Sequence, residues 1–182
     1  MFKILMVLFL SQLTLWACPF DEAKVEVTVV AHKTISKALK DDDYKRALQE
    51  IKKQKKLYTY FENSTDIALY KELLNATEAK EKAKVKKLLD LSLVLEIKEL
   101  LAQVDANFDK YQKARLLLIK TKKHLKALTK KREPMKYMKQ LLKSIGNPGM
   151  MGVGKKDADK KVFKEYKAKL LKYLNNNFEQ GG

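Results

Sequence analysis

The chain has 182 residues, enough for one domain of ordinary size with a hydrophobic core. Hydrophobic residues make up 46% of it and charged residues 34%, which excludes a disordered chain and fits amphipathic helices with solvated outer faces. The formal net charge of +17 favours anionic partners such as phospholipid headgroups, nucleic acid or acidic proteins, and the single cysteine excludes an intramolecular disulfide.

The amino terminus is typical of an export signal, with a positive start and an apolar run over residues 4–16. The sequence LWAC at residues 15–18 resembles a bacterial lipobox, with Trp16 where that family has a smaller side chain. The resemblance implies that residues 1–17 are a signal peptide and that Cys18 carries a lipid on a membrane facing the periplasm. Plain secretion and an uncleaved anchor are the alternatives.

The first helix is predicted over residues 22–40, with Asp21 accepting from its free amides. Its inner face is formed by residues at helical spacing, namely Val25, Val29, His32, Ile35 and Leu39. A strand is the competing prediction because valines at 25, 27 and 29 also alternate, but no second strand-like run is present to pair with it.

Two further helices follow. Acidic residues 41–43 begin a second helix, whose predicted inner face is Tyr44, Leu48, Ile51, Tyr58 and Phe61. Residues 63–66 break that helix and are predicted to cap a short third one, which carries Ile67, Tyr70, Leu73 and Leu74.

The most apolar run outside the amino terminus is LLDLSLVLEIKELL, residues 88–101. On a helix its apolar side chains reach almost every direction, and one narrow polar strip remains, made of Ser92, Glu96 and Glu99. Such a helix needs neighbours on several sides, so we expect it at the centre of a bundle. Thr77 is predicted to cap it, and a lysine-rich part over residues 80–87 precedes the buried run.

The rest of the chain predicts three more helices. Residues 105–107 turn into a fifth helix over 108–129, with core positions Tyr111, Ala114, Leu117, Leu118, Leu125 and Leu128. Pro134 begins a sixth that ends at Gly146, and Asp157 opens the last helix, which fades out from residue 175. The predicted organisation is a signal peptide (1–17), a helical bundle (18–145), a Gly/Met-rich loop (146–156), and a carboxyl-terminal helix with a frayed tail packing on the bundle (157–182).

The turn and helix start at residues 39–48 are echoed at residues 107–114, where Tyr-x-x-Ala again follows an acidic turn. Both segments are weakly similar to tetratricopeptide hairpins, although no 34-residue period holds. The predicted fold is all-α, a bundle of five to seven antiparallel helices. Two helix-turn-helix units would form part of it.

Four methionines remain after signal removal, all within 17 positions: Met135, Met138, Met150 and Met151. Soft thioethers suit Cu(I), and His124 lies near them in sequence, so these five residues form a candidate copper site. Filling of irregular core gaps is the competing explanation for the methionines.

Other patterns point to chemistry less directly. Glu96 and Glu99 could ligate iron in a bundle, but the Glu-x-x-His pairs that such sites add are missing, so solvent exposure or lysine ion pairs are favoured. The loop at 149–156 matches most of a phosphate-binding loop, yet Lys156 replaces the hydroxyl that binds magnesium. No pattern names a catalytic residue, and no cofactor is predicted.

The sequence therefore predicts a non-enzymatic lipoprotein of the cell envelope that acts as a binding or scaffolding module with a basic surface. Its partners would be the membrane, through the lipid anchor, and anionic lipid or an acidic protein, contacted by lysine faces and by aromatic residues (Tyr58, Tyr60, Phe61, Tyr70). Nucleic acid is a poor partner for an exported chain that has only three arginines. A periplasmic copper-binding protein is the alternative.

Overall fold

A computed structural model describes residues 26–149 and 154–179 of the chain, and within them the fold is entirely helical. Eight α-helices are present, in the order α1 (Val27–Lys40), α2 (Tyr44–Lys53), α3 (Lys55–Glu62), α4 (Leu69–Glu78), α5 (Lys82–Ala106), α6 (Tyr111–Leu128), α7 (Arg132–Ser144) and α8 (Lys160–Leu174). A π-helical turn, Asn175–Glu179, follows α8. The all-α prediction is confirmed, with one helix more than the predicted five to seven.

Helix α5 lies at the centre of the bundle, as its apolar sequence predicts. It packs against α1, α3, α4, α6 and α8. Its first half joins a core cluster built with α1 to α4, and its second half joins another built with α6 to α8. Packing on several sides explains why nine of the fourteen residues from 88 to 101 are apolar, and α5 thereby links the two halves of the core.

The helix predicted over residues 22–40 is α1, and the competing strand prediction is wrong. Val29, His32, Ile35 and Leu39 are buried along one face, as the helical spacing requires. Glu26 occupies the N-cap position. The predicted cap Asp21, the core position Val25, the signal peptide and Cys18 all lie outside the described residues.

The second helix was predicted as continuous, but it breaks at Gln54 into α2 and α3, which accounts for the extra helix. The cap predicted at residues 63–66 is also wrong. Helix α4 has Ala68 at its N-cap, and the Glu62 carboxylate accepts from the amide of Tyr70. Thr77 does not cap α5, since it lies within α4 and its hydroxyl donates to the Leu73 carbonyl. Glu81 takes that N-cap position instead.

The carboxyl-terminal half follows the prediction more closely. Helix α7 ends next to Gly146, whose φ of 71° lies in the left-handed region that glycine favours. Backbone hydrogen bonds between Asn147 and Lys156 then join the two ends of the following loop. Asp159, rather than the predicted Asp157, caps α8 through its carboxylate. The tail does not fray at residue 175, because the π-helical turn packs Phe178 onto the core.

The two segments that resemble tetratricopeptide hairpins begin their second helices differently. Asp43 accepts from the amide of Arg46 at the start of α2, whereas the N-cap residue of α6, Lys110, makes no side-chain cap hydrogen bond. Among the described helices, none combines the length and the apolar character needed to cross a membrane.

Candidate functional site

The most unusual polar contact in the core joins α6 to α5. His124 lies on the inner face of α6, its side chain is 0% exposed, and its Nε2 is 2.9 Å from Oε2 of Glu96 on α5. The other ring nitrogen, Nδ1, is 2.9 Å from the carbonyl oxygen of Lys120. Both ring nitrogens of His124 are therefore directed at oxygen atoms.

The contact with the Lys120 carbonyl determines which of the two nitrogens of a neutral His124 ring carries the hydrogen. A carbonyl oxygen only accepts, so Nδ1 of His124 must be the protonated nitrogen, and a neutral ring then presents a lone pair at Nε2. That lone pair faces the acceptor oxygen of Glu96. The two buried atoms are close but not aligned as a hydrogen bond. A second proton on the ring, or a metal cation, is needed to make this contact favourable.

A second carboxylate approaches the same point. Glu26 precedes α1, its side chain is only 12% exposed, and its Oε1 is 3.8 Å from Nζ of Lys123. Ligand atoms of Glu26, Glu96 and His124 all lie within 4.8 Å of one another. We call these three residues the Glu–Glu–His cluster. Within the described part of the chain it is the only group of at least three His, Cys, Asp or Glu residues close enough to hold an ion.

The cluster shifts the pKa values of its members in opposite directions. Burial alone would lower the pKa of His124, but the Glu96 carboxylate and the Lys120 carbonyl outweigh it and the pKa is raised. Burial alone would raise the pKa of Glu96, but the His124 ring, the Thr28 hydroxyl and the charge of Lys120 outweigh it and the pKa is lowered. Both shifts favour an imidazolium beside a carboxylate in the metal-free protein.

The other histidine makes a related but complete pair. His32 on α1 is buried, and its Nε2 is 2.8 Å from Oδ1 of Asp90 on α5, while Lys86 binds the other oxygen of Asp90. The predicted place of His32 on the inner face of the first helix is confirmed. The His32–Asp90 pair has a lysine as its third member, where the Glu–Glu–His cluster has a second carboxylate. The two sites can therefore be compared to test the role of that carboxylate.

The proposed methionine ligands are divided between the core and the part of the chain that is not described. Met138 is fully buried in the core cluster of α6 to α8, and Met135 packs against the same cluster. Met150 and Met151 lie outside the described residues. His124 shares the α6 to α8 region with Met135 and Met138, but its two ring nitrogens face oxygen.

The polar strip predicted on α5 is buried at Ser92 and only partly exposed at Glu96 and Glu99. Ser92 is 1% exposed and donates to the Leu89 carbonyl, and Glu96 belongs to the Glu–Glu–His cluster. Glu99 instead accepts from the hydroxyl of Tyr60 at 2.7 Å. The two glutamates therefore have separate partners.

Of the four aromatic residues predicted as a contact surface, two are in the core. Tyr58 and Phe61 are buried, whereas Tyr60 is 52% exposed. Tyr70 is half-buried and packs against the core cluster of α1 to α4. The aromatic contact surface is thus smaller than the sequence predicts.

An open groove of about 1220 Å³ lies along α5. Leu88, Leu91 and Leu95 of α5 contribute its apolar lining. Both lysines and acidic residues surround them. An ion pair between Lys98 and Glu179, at 2.7 Å, ties the π-helical turn to α5 along the groove.

Positive charge is concentrated on α6, α7 and the adjoining loops. Residues 110–156 contain fifteen Lys and Arg residues and one acid, Glu133, and so carry fourteen of the seventeen net positive charges. Among described ion pairs between Lys or Arg and an acid, only Lys123 with Glu26 involves α6 or α7. We define the basic face by the exposed cations of these helices: Lys113, Arg115, Lys123, Lys126, Arg132, Lys136, Lys139 and Lys143.

Of the basic face and the Glu–Glu–His cluster, the basic face could have been found in the sequence. The run of 47 residues with a single acid is visible in the order of charges. The Glu–Glu–His cluster is not visible there, because its members lie at the N-cap of α1, on α5 and on α6, separated by 70 and 28 positions.

Comparison of the chain with protein families, with curated proteins and with solved structures finds no match.

Proposed function

We propose that this protein is a non-enzymatic binding module of the cell envelope, held at a membrane by a lipid on Cys18 and oriented there by its basic face. The observation that carries the proposal is the basic face itself. Eight exposed cations lie on two adjacent helices, and acidic side chains offset few of them.

The chemistry of the basic face suits phospholipid headgroups. Six of its eight cations are lysines, which act as compact hydrated charges, whereas specific recognition of bases or phosphates relies on the planar fork of arginine. Near an anionic leaflet each well-placed Lys or Arg contributes about 1 kcal/mol. Four such contacts would strengthen membrane binding by roughly a thousandfold.

A lipid on Cys18 and the basic face would reinforce each other. The two acyl chains of a diacylglyceryl group suffice for stable anchoring, and a polybasic surface beside them adds attraction to anionic headgroups. The anchor would hold the protein near the leaflet, and the basic face would decide which side of the bundle meets it. The groove, which no residue of α6 or α7 lines, would then remain accessible to a partner.

Vesicle binding tests this proposal. A Cys18→Ser chain that begins at residue 18, and so lacks signal and lipid, is mixed with vesicles of phosphatidylglycerol and phosphatidylcholine or of phosphatidylcholine alone. We expect sedimentation only with the anionic vesicles, and release when salt shortens the Debye length to about 3 Å. Equal binding to both vesicle types, or no binding at low salt, would contradict the proposal.

The lipid on Cys18 is tested separately by mass spectrometry of the chain from the membrane fraction. We expect an amino terminus at Cys18 with the added mass of a diacylglyceryl group. An unmodified chain that starts at Met1 would exclude the lipoprotein assignment.

A further inference from the structure

We propose that Glu26, Glu96 and His124 form a binding site for one divalent metal ion of the zinc class, with two carboxylate oxygens and the Nε2 of His124 as ligands. No step of the membrane-binding proposal requires this site. The argument rests on the fully buried His124 ring, whose Nε2 is directed at two acids and lacks an aligned hydrogen bond.

The charge of the cluster favours an ion with two positive charges. A protonated His124 ring balances only one of the two carboxylates, whereas a divalent cation bound to a neutral ring balances both. Lys123 supplies part of the missing charge for Glu26 at 3.8 Å, but it is 56% exposed and its flexible side chain can turn to solvent.

The hydrogen bond that orients the His124 ring is of the kind found at metal-bound histidines. Metal-bound histidines usually donate their other ring N–H to a carboxylate or a backbone carbonyl, which fixes the tautomer and aims the free nitrogen at the metal. Here Nδ1 donates to the Lys120 carbonyl at 2.9 Å. The lone pair of Nε2 is thereby directed into the cluster.

The distances fit zinc after a small movement. With Zn–N and Zn–O bonds of about 2.0–2.2 Å, ligand atoms around a tetrahedral ion lie roughly 3.3–3.5 Å apart. The Nε2 of His124 and Oε2 of Glu96 are 2.9 Å apart, and all three ligand atoms lie within 4.8 Å. Metal binding would therefore need only a small inward movement of the Glu26 side chain. Glu96 is 23% exposed, which leaves room for water as a fourth ligand.

The donor set selects the metal. Imidazole with carboxylates suits Zn²⁺, whereas Cu(I) prefers thiolates and thioethers, and Mg²⁺ prefers oxygen ligands and retains several waters. The site therefore differs from the methionine copper site in donor atoms and in preferred ion, although both include His124.

The test is calorimetric titration of the full chain, in detergent, with Zn²⁺ near pH 7.5. We expect one Zn²⁺ per chain, with affinity reduced at least about tenfold by Glu26→Gln, because loss of even an indirect partner of a ligand typically costs ten- to hundredfold. Glu26 begins α1 and is not in the core, so this variant should fold. His32→Gln is the matched control and should keep wild-type affinity, since the His32 pair lacks a second carboxylate.

Nitrogen NMR of the His124 ring gives an independent readout. Zinc should move the Nε2 resonance from that of a protonated nitrogen to that of a metal-bound one, while Nδ1 keeps its hydrogen. Absence of a stoichiometric Zn²⁺ site, equal affinity in wild type and Glu26→Gln, or a ring that stays doubly protonated at saturating Zn²⁺ would overturn the proposal. Displacement of Zn²⁺ by equimolar Mg²⁺ would also overturn it.

Discussion

Removing the Glu96 carboxylate tests the electrostatic description of the cluster without any metal. In the wild type the His124 side chain is 0% exposed, and Glu96→Ala removes the oxygen that lies 2.9 Å from its Nε2. Leaving a buried polar group without a partner costs about 1–3 kcal/mol, and we expect the upper half of that range because the ring is fully buried. For a chain of this length the melting temperature should fall by roughly 4–12 °C.

Glu99→Ala is the control, because it removes the same side chain from the same helix three residues later. Glu99 accepts from the exposed Tyr60 hydroxyl, so its loss should change the free energy of unfolding by less than about 0.5 kcal/mol. Both variants are unfolded with heat and with urea in the presence of EDTA, followed by circular dichroism. Equal losses in the two variants would refute the description of the cluster.

The same variant predicts the sign of a pH effect. The pKa of His124 is raised, so its stabilising contribution is complete below its ordinary value of 6.5 and is lost as pH rises through the raised pKa. The pKa of Glu96 is lowered, so its contribution is complete above 4.5 and is lost as pH falls through the lowered pKa. The difference in unfolding free energy between wild type and Glu96→Ala should therefore be largest between these two values. A difference that grows steadily above pH 6.5 would contradict the assignment.

Two stability predictions concern the scaffold, and both are measured by urea unfolding. Leu101→Ala, in the fully buried middle of the bundle, should lower the free energy of unfolding by about 3–5 kcal/mol. Val30→Ala, at a 45% exposed position, should lower it by less than about 0.5 kcal/mol. Similar losses in the two variants would contradict the central position of α5. Gly146→Ala should lower the free energy of unfolding by more than about 1 kcal/mol, because its φ is 71° and an added Cβ would lie 2.5 Å from the Lys156 carbonyl oxygen. Gly154 has open space around it, so Gly154→Ala should be nearly neutral. The reverse order of the two losses would contradict the loop geometry.

The helical framework could be predicted because strong periodic signals agree with one another. The run at residues 88–101 is apolar in almost every direction, and residues 88–95 are accordingly all buried. Gly146 predicts the end of α7 for a reason of backbone geometry, and its positive φ confirms it. In each case a local pattern has a single structural solution.

The helix boundaries were harder to predict because polar side chains compete for the same role. Residues 63–66 and Thr77 are good capping residues by type, yet the Glu62 carboxylate reaches the Tyr70 amide from eight positions earlier, and Thr77 bonds within its own helix. Tertiary placement decides between such candidates. Local sequence therefore predicts that a helix begins nearby without fixing which residue caps it.

The polar cluster could not be predicted from helical spacing alone. Pattern analysis groups Glu96 with Glu99 and His124 with the methionines, because both groupings follow proximity in sequence. The structure groups Glu96 with His124, since α5 and α6 pack side by side and turn these side chains toward each other. Glu26 joins them from α1. Such contacts depend on the relative rotation of three helices, which periodicity leaves undetermined.

The most direct test of the basic face compares two fourfold variants that remove the same charge from opposite parts of the chain. The first neutralises exposed lysines of the basic face by substitution with Gln, at Lys126, Lys136, Lys139 and Lys143. The second neutralises exposed lysines around α1 to α3 in the same way, at Lys40, Lys45, Lys52 and Lys56.

The measurement is the partition coefficient of each unlipidated variant on phosphatidylglycerol vesicles at low salt. We predict at least a tenfold loss for the basic-face variant and less than a threefold loss for the control, because charges distant from the leaflet are screened within about 10 Å. Equal losses in the two variants would show that only total charge matters, and would contradict an oriented membrane-binding face on α6 and α7.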